Sequence, residues 1–146
     1  MNLRLLVLFL VYFLCGCKAQ KPDSKNLEKN GRLVLSMERT ACFGRCPIYQ
    51  IKLYQNGLLV YNAEQFTDTV GCFYSVLTKP EIAVIEEKLK QANFFGLADS
   101  YPVGVQTPTD LPSCIVFYNK NGRQKTVTDK RFKSPEMLTY IENSID

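Results

Sequence analysis

Apolar and polar positions begin to alternate at Leu33. Leu33, Leu35 and Met37 fall on one side of an extended chain and Val34, Ser36 and Glu38 on the other, which predicts a half-buried strand. The segment Cys42-Phe43-Gly44-Arg45-Cys46-Pro47 interrupts this pattern. It resumes with Tyr49, Ile51 and Leu53 against Gln50, Lys52 and Tyr54, and again after Asn56-Gly57 with Leu58-Leu59-Val60-Tyr61. An Asn-Gly between two such runs predicts a hairpin with a type I′ turn, because both residues tolerate positive φ. Phe66, Val70, Phe73, Tyr74 and Val76, spaced around Gly71, predict one or two further short strands.

The period then changes. Thr78-Lys79-Pro80-Glu81 forms a capping box, and Ile82, Ile85, Leu89 and Ala92 recur at helical spacing, so an amphipathic helix runs to about Asn93. Phe94-Phe95-Gly96-Leu97 closes it against the core. Residues 100–112 carry three prolines and one glycine with little periodicity, a long loop of the kind that often carries function. Cys114 to Tyr118, the turn Asn121-Gly122 and Arg123 to Thr128 predict a second hairpin. Ser134-Pro135-Glu136 opens a last helix that buries Leu138, Ile141 and Ile145. Strands cluster before each helix instead of alternating with them, so the predicted class is α+β, an antiparallel β-sheet with two helices packed on one face.

The first residues change the picture of where the domain resides. Arg4 is followed by the unbroken apolar run Leu5 to Leu14. Ten helical residues span roughly 15 Å, half of a hydrocarbon core of about 30 Å, which suits an export signal and not a membrane span. Leu14-Cys15-Gly16-Cys17-Lys18 resembles the lipobox of bacterial lipoproteins. That resemblance implies a signal peptide over 1–16, lipidation of Cys17, a tether over 17–31 and one domain over 32–146. Several acyl chains on one cysteine hold a protein stably to a membrane. Lys18 replaces the Asp that signals inner-membrane retention in some bacteria, so the expected location is the cell envelope, at the outer membrane. The polar tether spans roughly 20 Å.

Charge adds little. Without Arg4 the chain keeps 17 basic and 14 acidic residues, too small an excess to imply nucleic acid. Lys120, Arg123, Lys125, Lys130, Arg131 and Lys133 read as a solvated hairpin surface.

Four cysteines follow the leader: Cys42, Cys46, Cys72 and Cys114. An even count in an exported chain points to disulfides, with three possible connectivities. The pairing we expect is Cys42 with Cys46 and Cys72 with Cys114. Closing loops of five and 43 residues would contribute about 2 and about 4 kcal/mol. The first bridge would fix a tight knuckle in which Gly44 takes positive φ and Phe43 and Arg45 are displayed. The alternative is a redox-active dithiol; against it, Cys46 leads into a strand and not from a helix N-terminus.

A zinc site would lack closely paired ligands and any His. The same absence excludes Ser-His and Cys-His nucleophile pairs. A carboxylate mechanism would fall to acids such as Asp68, Asp99 and Asp110, which read more simply as turn and cap residues. No catalytic residue, metal or cofactor is expected.

Arg39-Thr40-Ala41-Cys42-Phe43-Gly44-Arg45-Cys46-Pro47-Ile48-Tyr49 resembles the opening signature of a bacterial domain of unknown function, number 6438. The likeness continues through residues 94–101, Thr109-Asp110-Leu111-Pro112, Lys125-Thr126-Val127, Pro135 to Leu138 and Ile145-Asp146. The family pattern includes Cys42 and Cys46 but not Cys72 or Cys114, and it implies no activity or ligand. The reading that follows is a non-enzymatic binding module for a protein, peptide or glycan. Its expected surface combines Phe43 and Arg45 with Tyr101 and Asp110, joined by an Arg45 to Asp110 ion pair. The alternative is a thiol–disulfide protein using Cys42 and Cys46.

Overall fold

The computed structural model describes residues 28, 30–108, 110–130 and 134–145. The expectations for the signal peptide, for Cys17, for most of the tether and for Arg131 and Lys133 therefore lie outside the described residues.

Seven strands form one sheet: β1 (Leu33–Arg39), β2 (Ile48–Tyr54), β3 (Leu58–Gln65), β4 (Gly71–Val76), β5 (Ser100–Tyr101), β6 (Cys114–Lys120) and β7 (Arg123–Asp129). Helix α1 (Lys79–Gln91) follows β4, a 3₁₀ turn spans Phe94–Gly96, and α2 (Glu136–Ile145) follows β7. The sheet order is β4-β3-β2-β1-β6-β7-β5. The expected α+β class with a purely antiparallel sheet is corrected here, because β5 runs parallel to β7, with Ser100 opposite Thr128 and Tyr101 opposite Asp129. The architecture is a seven-stranded mixed sheet with two helices. Main-chain bonds fix this edge: the Asp99 carbonyl accepts from Thr128 N–H at 2.9 Å and the Tyr101 carbonyl from Lys130 N–H at 3.1 Å.

One face of the sheet carries the core. Leu35 and Met37 of β1, Leu53 of β2, Val116 and Tyr118 of β6 and Val127 of β7 meet Leu89 of α1, Phe94, and Leu138 and Ile141 of α2. Full burial of side chains of this size contributes about 1.5–3 kcal/mol each. The first strand departs from simple alternation. A register shift between Leu33 and Leu35 turns Leu33 to the opposite face, where it packs on Tyr54, Leu58 and Val60, and sends Val34 to the main core.

The two Asn-Gly turns differ. At Asn121-Gly122 both residues take positive φ, 53° and 87°, as type I′ requires. At the β2–β3 hairpin only Gly57 does (φ 88°), its N–H bonding the Tyr54 carbonyl at 2.9 Å. A Cβ on Gly57 would lie 2.6 Å from the Leu77 carbonyl oxygen, so only glycine fits. The cap of α1 is as the sequence predicts, with the Glu81 carboxylate accepting from the Thr78 N–H at 2.7 Å.

Candidate functional site

The loops that interrupt the strands gather at one end of the sheet. The knuckle joins β1 to β2, the β3–β4 loop lies beside it because Ile48 pairs with Gln65, and the long loop arrives at Cys114 opposite Arg39. Cys42 and Cys46 are bridged, with a Cα–Cα distance of 5.8 Å. Gly44 does not have positive φ and its N–H bonds the Cys42 carbonyl at 2.9 Å, so the bridge and this turn shape the knuckle without a left-handed residue. Phe43 at its tip is 94% exposed.

The expected Cys72–Cys114 bridge is absent. Cys72 is exposed on β4 and Cys114 buried on β6, four strand spacings apart. At about 4.8 Å per spacing they are separated by roughly 19 Å, beyond any disulfide.

Three of the four expected surface residues lie at the knuckle. The Phe43 N–H donates to the Asp110 carbonyl at 3.3 Å, tying the knuckle to the long loop. Arg45 places its guanidinium over the Phe66 ring, 5.8 Å from the centroid, and no Arg45–Asp110 ion pair occurs among the described residues. Tyr101 lies at the same end but three strands from the knuckle, opposite Asp129 in the row that runs on through Cys114 to Arg39; it is half-buried against the core and its hydroxyl accepts the Ala98 N–H at 2.9 Å. Asp99 accepts from Lys125 at 2.6 Å, Lys120 pairs with Glu86 at 3.4 Å and Arg123 covers Phe95 at 4.4 Å, so three of the four described members of the basic stretch are occupied locally.

Two concavities flank the knuckle, and Pro47 and Tyr49 line both. The first is a groove of about 550 Å³ on the core side of the sheet, between α1 and the β2–β3 wing. Leu35, Ile51, Leu53, Leu59, Leu77 and Ile85 make it apolar; Thr67 and Asp68 stand at its end. From it runs a ladder of rings, one from each of three strands: Tyr49 and Tyr61 line the groove and Phe73 continues the row beyond its lining. Tyr49 meets Tyr61 edge-on at 5.5 Å and Tyr61 stacks on Phe73 at 6.1 Å. Such cross-strand ring pairs are favourable by about 0.5–1.5 kcal/mol each. Phe66 and Phe73 remain 46% and 44% exposed.

The second is a cleft of about 400 Å³ lined by Arg39, Thr40, Cys46, Leu111, Pro112 and Lys130. Behind Arg39 lies a buried polar cluster. Arg39, Cys114 and Asp129 are neighbours across β1, β6 and β7, and α2 lays Glu142 over them. Arg39 Nη1 pairs with Glu142 Oε2 at 3.3 Å, Arg39 Nε donates to the Tyr49 hydroxyl at 3.2 Å, and Ser134 donates to Asp129 at 2.5 Å. Burial pushes the Glu142 carboxyl up to about 7, and the Asp129 charge adds to this while Arg39 opposes it. Asp129 and Glu142 are each 1% exposed, so the cluster acts on the fold and not on a substrate. No group of three His, Cys, Asp or Glu among the described residues could hold a metal.

Sequence reasoning missed Glu142 and the ladder. Glu142 follows Ile141 on the apolar stripe of α2, a position where a carboxylate is out of place. The ladder depends on the register between strands, which no single strand reveals.

A family model described as "Domain of unknown function (DUF6438)" matches residues 33–146. No curated protein matches the chain.

Proposed function

This chain belongs to the family described as Domain of unknown function (DUF6438), and we propose that it is a lipid-anchored protein of the bacterial cell envelope, held at the outer membrane through Cys17, whose domain binds an extended apolar polypeptide segment in the aromatic groove. The observation that carries the binding reading is the groove itself, with the Tyr49–Tyr61–Phe73 ladder left open beside the stapled knuckle. Its lining favours a polypeptide over a glycan. A sugar needs several polar side chains around its hydroxyls, and here only Thr67, Asp68 and the tyrosine hydroxyls offer any. The domain is entered at Leu33 and the knuckle leaves β1 at Arg39, about 20 Å further along, so the knuckle lies at the far end of the sheet from the point where the tether enters.

Full-length protein in detergent, applied to arrays of random nonapeptides and of glycans, tests the reading. Peptides rich in apolar and β-branched residues should bind, and Tyr61→Ala should weaken them about tenfold. Binding confined to glycans, or indifferent to Tyr61→Ala, contradicts it; so does dithiol exchange activity lost in Cys42→Ser, which favours the thiol–disulfide alternative. Labelled palmitate should enter the wild-type chain and not Cys17→Ala.

A further inference from the structure

The two edges of the sheet are treated differently by the sequence. At the β7 side the outermost strand, β5, has two residues, and the part of β7 that it does not cover carries Arg123 and Lys125. Short strands and charges of this kind block pairing with another chain. At the other side β4, the outermost strand among the described residues, offers six residues, Gly71-Cys72-Phe73-Tyr74-Ser75-Val76, with no charge and no proline. Such an edge is a template for a further strand.

We propose that β4 pairs with β4 of a second copy of this chain, antiparallel about a two-fold axis through Phe73. The register follows from the ladder within the chain. Phe73 lies opposite Tyr61, and the Leu77 N–H bonds the Gly57 carbonyl at 2.9 Å. Antiparallel bonding alternates, so residues 71, 73 and 75 turn their main-chain groups to β3 and residues 72, 74 and 76 turn theirs to the outer edge. A two-fold pairing must match outward residues with outward residues on the same face. Centring it on Phe73 sets Cys72 opposite Tyr74 of the second copy, Val70 opposite its Val76, and Phe73 opposite its own equivalent in a non-hydrogen-bonded pair, where side chains approach most closely.

One operation thereby covers three exposed apolar side chains: Val70 at 67%, Phe73 at 44% and Val76 at 49%. Charge agrees with it. Asp68 precedes β4 by three residues and Lys79 follows it by three, both exposed, so each copy brings its lysine to the other's aspartate at both ends of the pair. The two ring ladders then join on one face as Tyr49–Tyr61–Phe73 and its two-fold image, and the two grooves open side by side. The pairing does not depend on what the groove binds.

Sedimentation of the full-length chain in detergent, with cross-linking, tests the pairing. The wild type should carry twice the chain mass, and Cys72→Lys, which sets a charge on the edge at an exposed site, should carry the single mass with an unchanged circular dichroism spectrum. In a Cys72→Ser background, Phe73→Cys should give a disulfide-linked dimer under mild oxidant, its two Cα atoms about 4.5 Å apart, whereas Ser75→Cys, about 14 Å from its equivalent, should not. A monomeric wild type, a Cys72→Lys dimer, or equal cross-linking at 73 and 75 would overturn the proposal. Peptide binding by a monomer would leave the groove reading standing.

Discussion

Arg39→Met is expected to destabilise the domain by about 3–5 kcal/mol at pH 8 and by clearly less at pH 5, measured by urea unfolding. Arg39 is 6% exposed and is the guanidinium that faces Glu142 among the described residues, with Asp129 close by. Removing one partner of a buried pair costs more than the pair contributes, because the remaining charge has neither water nor a counter-ion. At pH 5 Glu142 escapes part of that penalty by holding a proton, which is why the loss shrinks. The same substitution frees the Tyr49 hydroxyl from Arg39 Nε, so Tyr49 also loses a restraint at the point where groove and cleft meet. A loss of stability equal at the two pH values would show that the charge on Glu142 has no part in the effect.

Wild-type stability should fall by about 3 kcal/mol between pH 4.5 and pH 8 through Glu142 alone, and Glu142→Gln should remove most of that slope. The folded carboxyl sits at about 7 against an ordinary value of 4.5. Between those values the folded state binds more protons than the unfolded chain, so stability declines as pH rises. Below 4.5 both states hold the proton and the full stability is present. Above 7 neither does, and the burial penalty is felt in full. Glutamine keeps the shape and an acceptor for Arg39 while carrying no charge; it takes the counter-charge from the buried guanidinium, so the variant should be less stable than the wild type, but its stability should change little across this window. A wild type whose stability rises across this window would refute the assignment.

Much of the fold was legible in the sequence, for identifiable reasons. Alternation located β2, β6 and β7, Asn-Gly marked both hairpins, and Thr78 with Glu81 marked the start of α1. β5 was not legible, because two residues ahead of a proline leave no period to read, and with β5 went the mixed character of the sheet. The bulge near Leu33 was hidden for a related reason: one added residue reverses the facing of everything before it while the hydrophobic pattern stays smooth.

The site was legible only where the chemistry is local. The Cys42–Cys46 bridge and the exposed Phe43 followed from a short loop. Tyr101 is half-buried because Ala98 and β7 hold it, which adjacency to prolines does not disclose. Cys72 and Cys114 were paired by count, yet strand order decides, and β4 and β6 are not neighbours. Glu142 and the Tyr49–Tyr61–Phe73 ladder both required the third dimension.

The most direct measurement is amide chemical-shift mapping of the isotope-labelled full-length chain in detergent with the tightest nonapeptide from the array. The account predicts that the perturbed amides cluster along the groove, at Ile51, Leu59, Tyr61 and Phe73, and fade towards Gln124 and Thr126 on β7. Perturbations centred on the opposite face of the sheet, at Ser36, Lys52 and Val60, would contradict it.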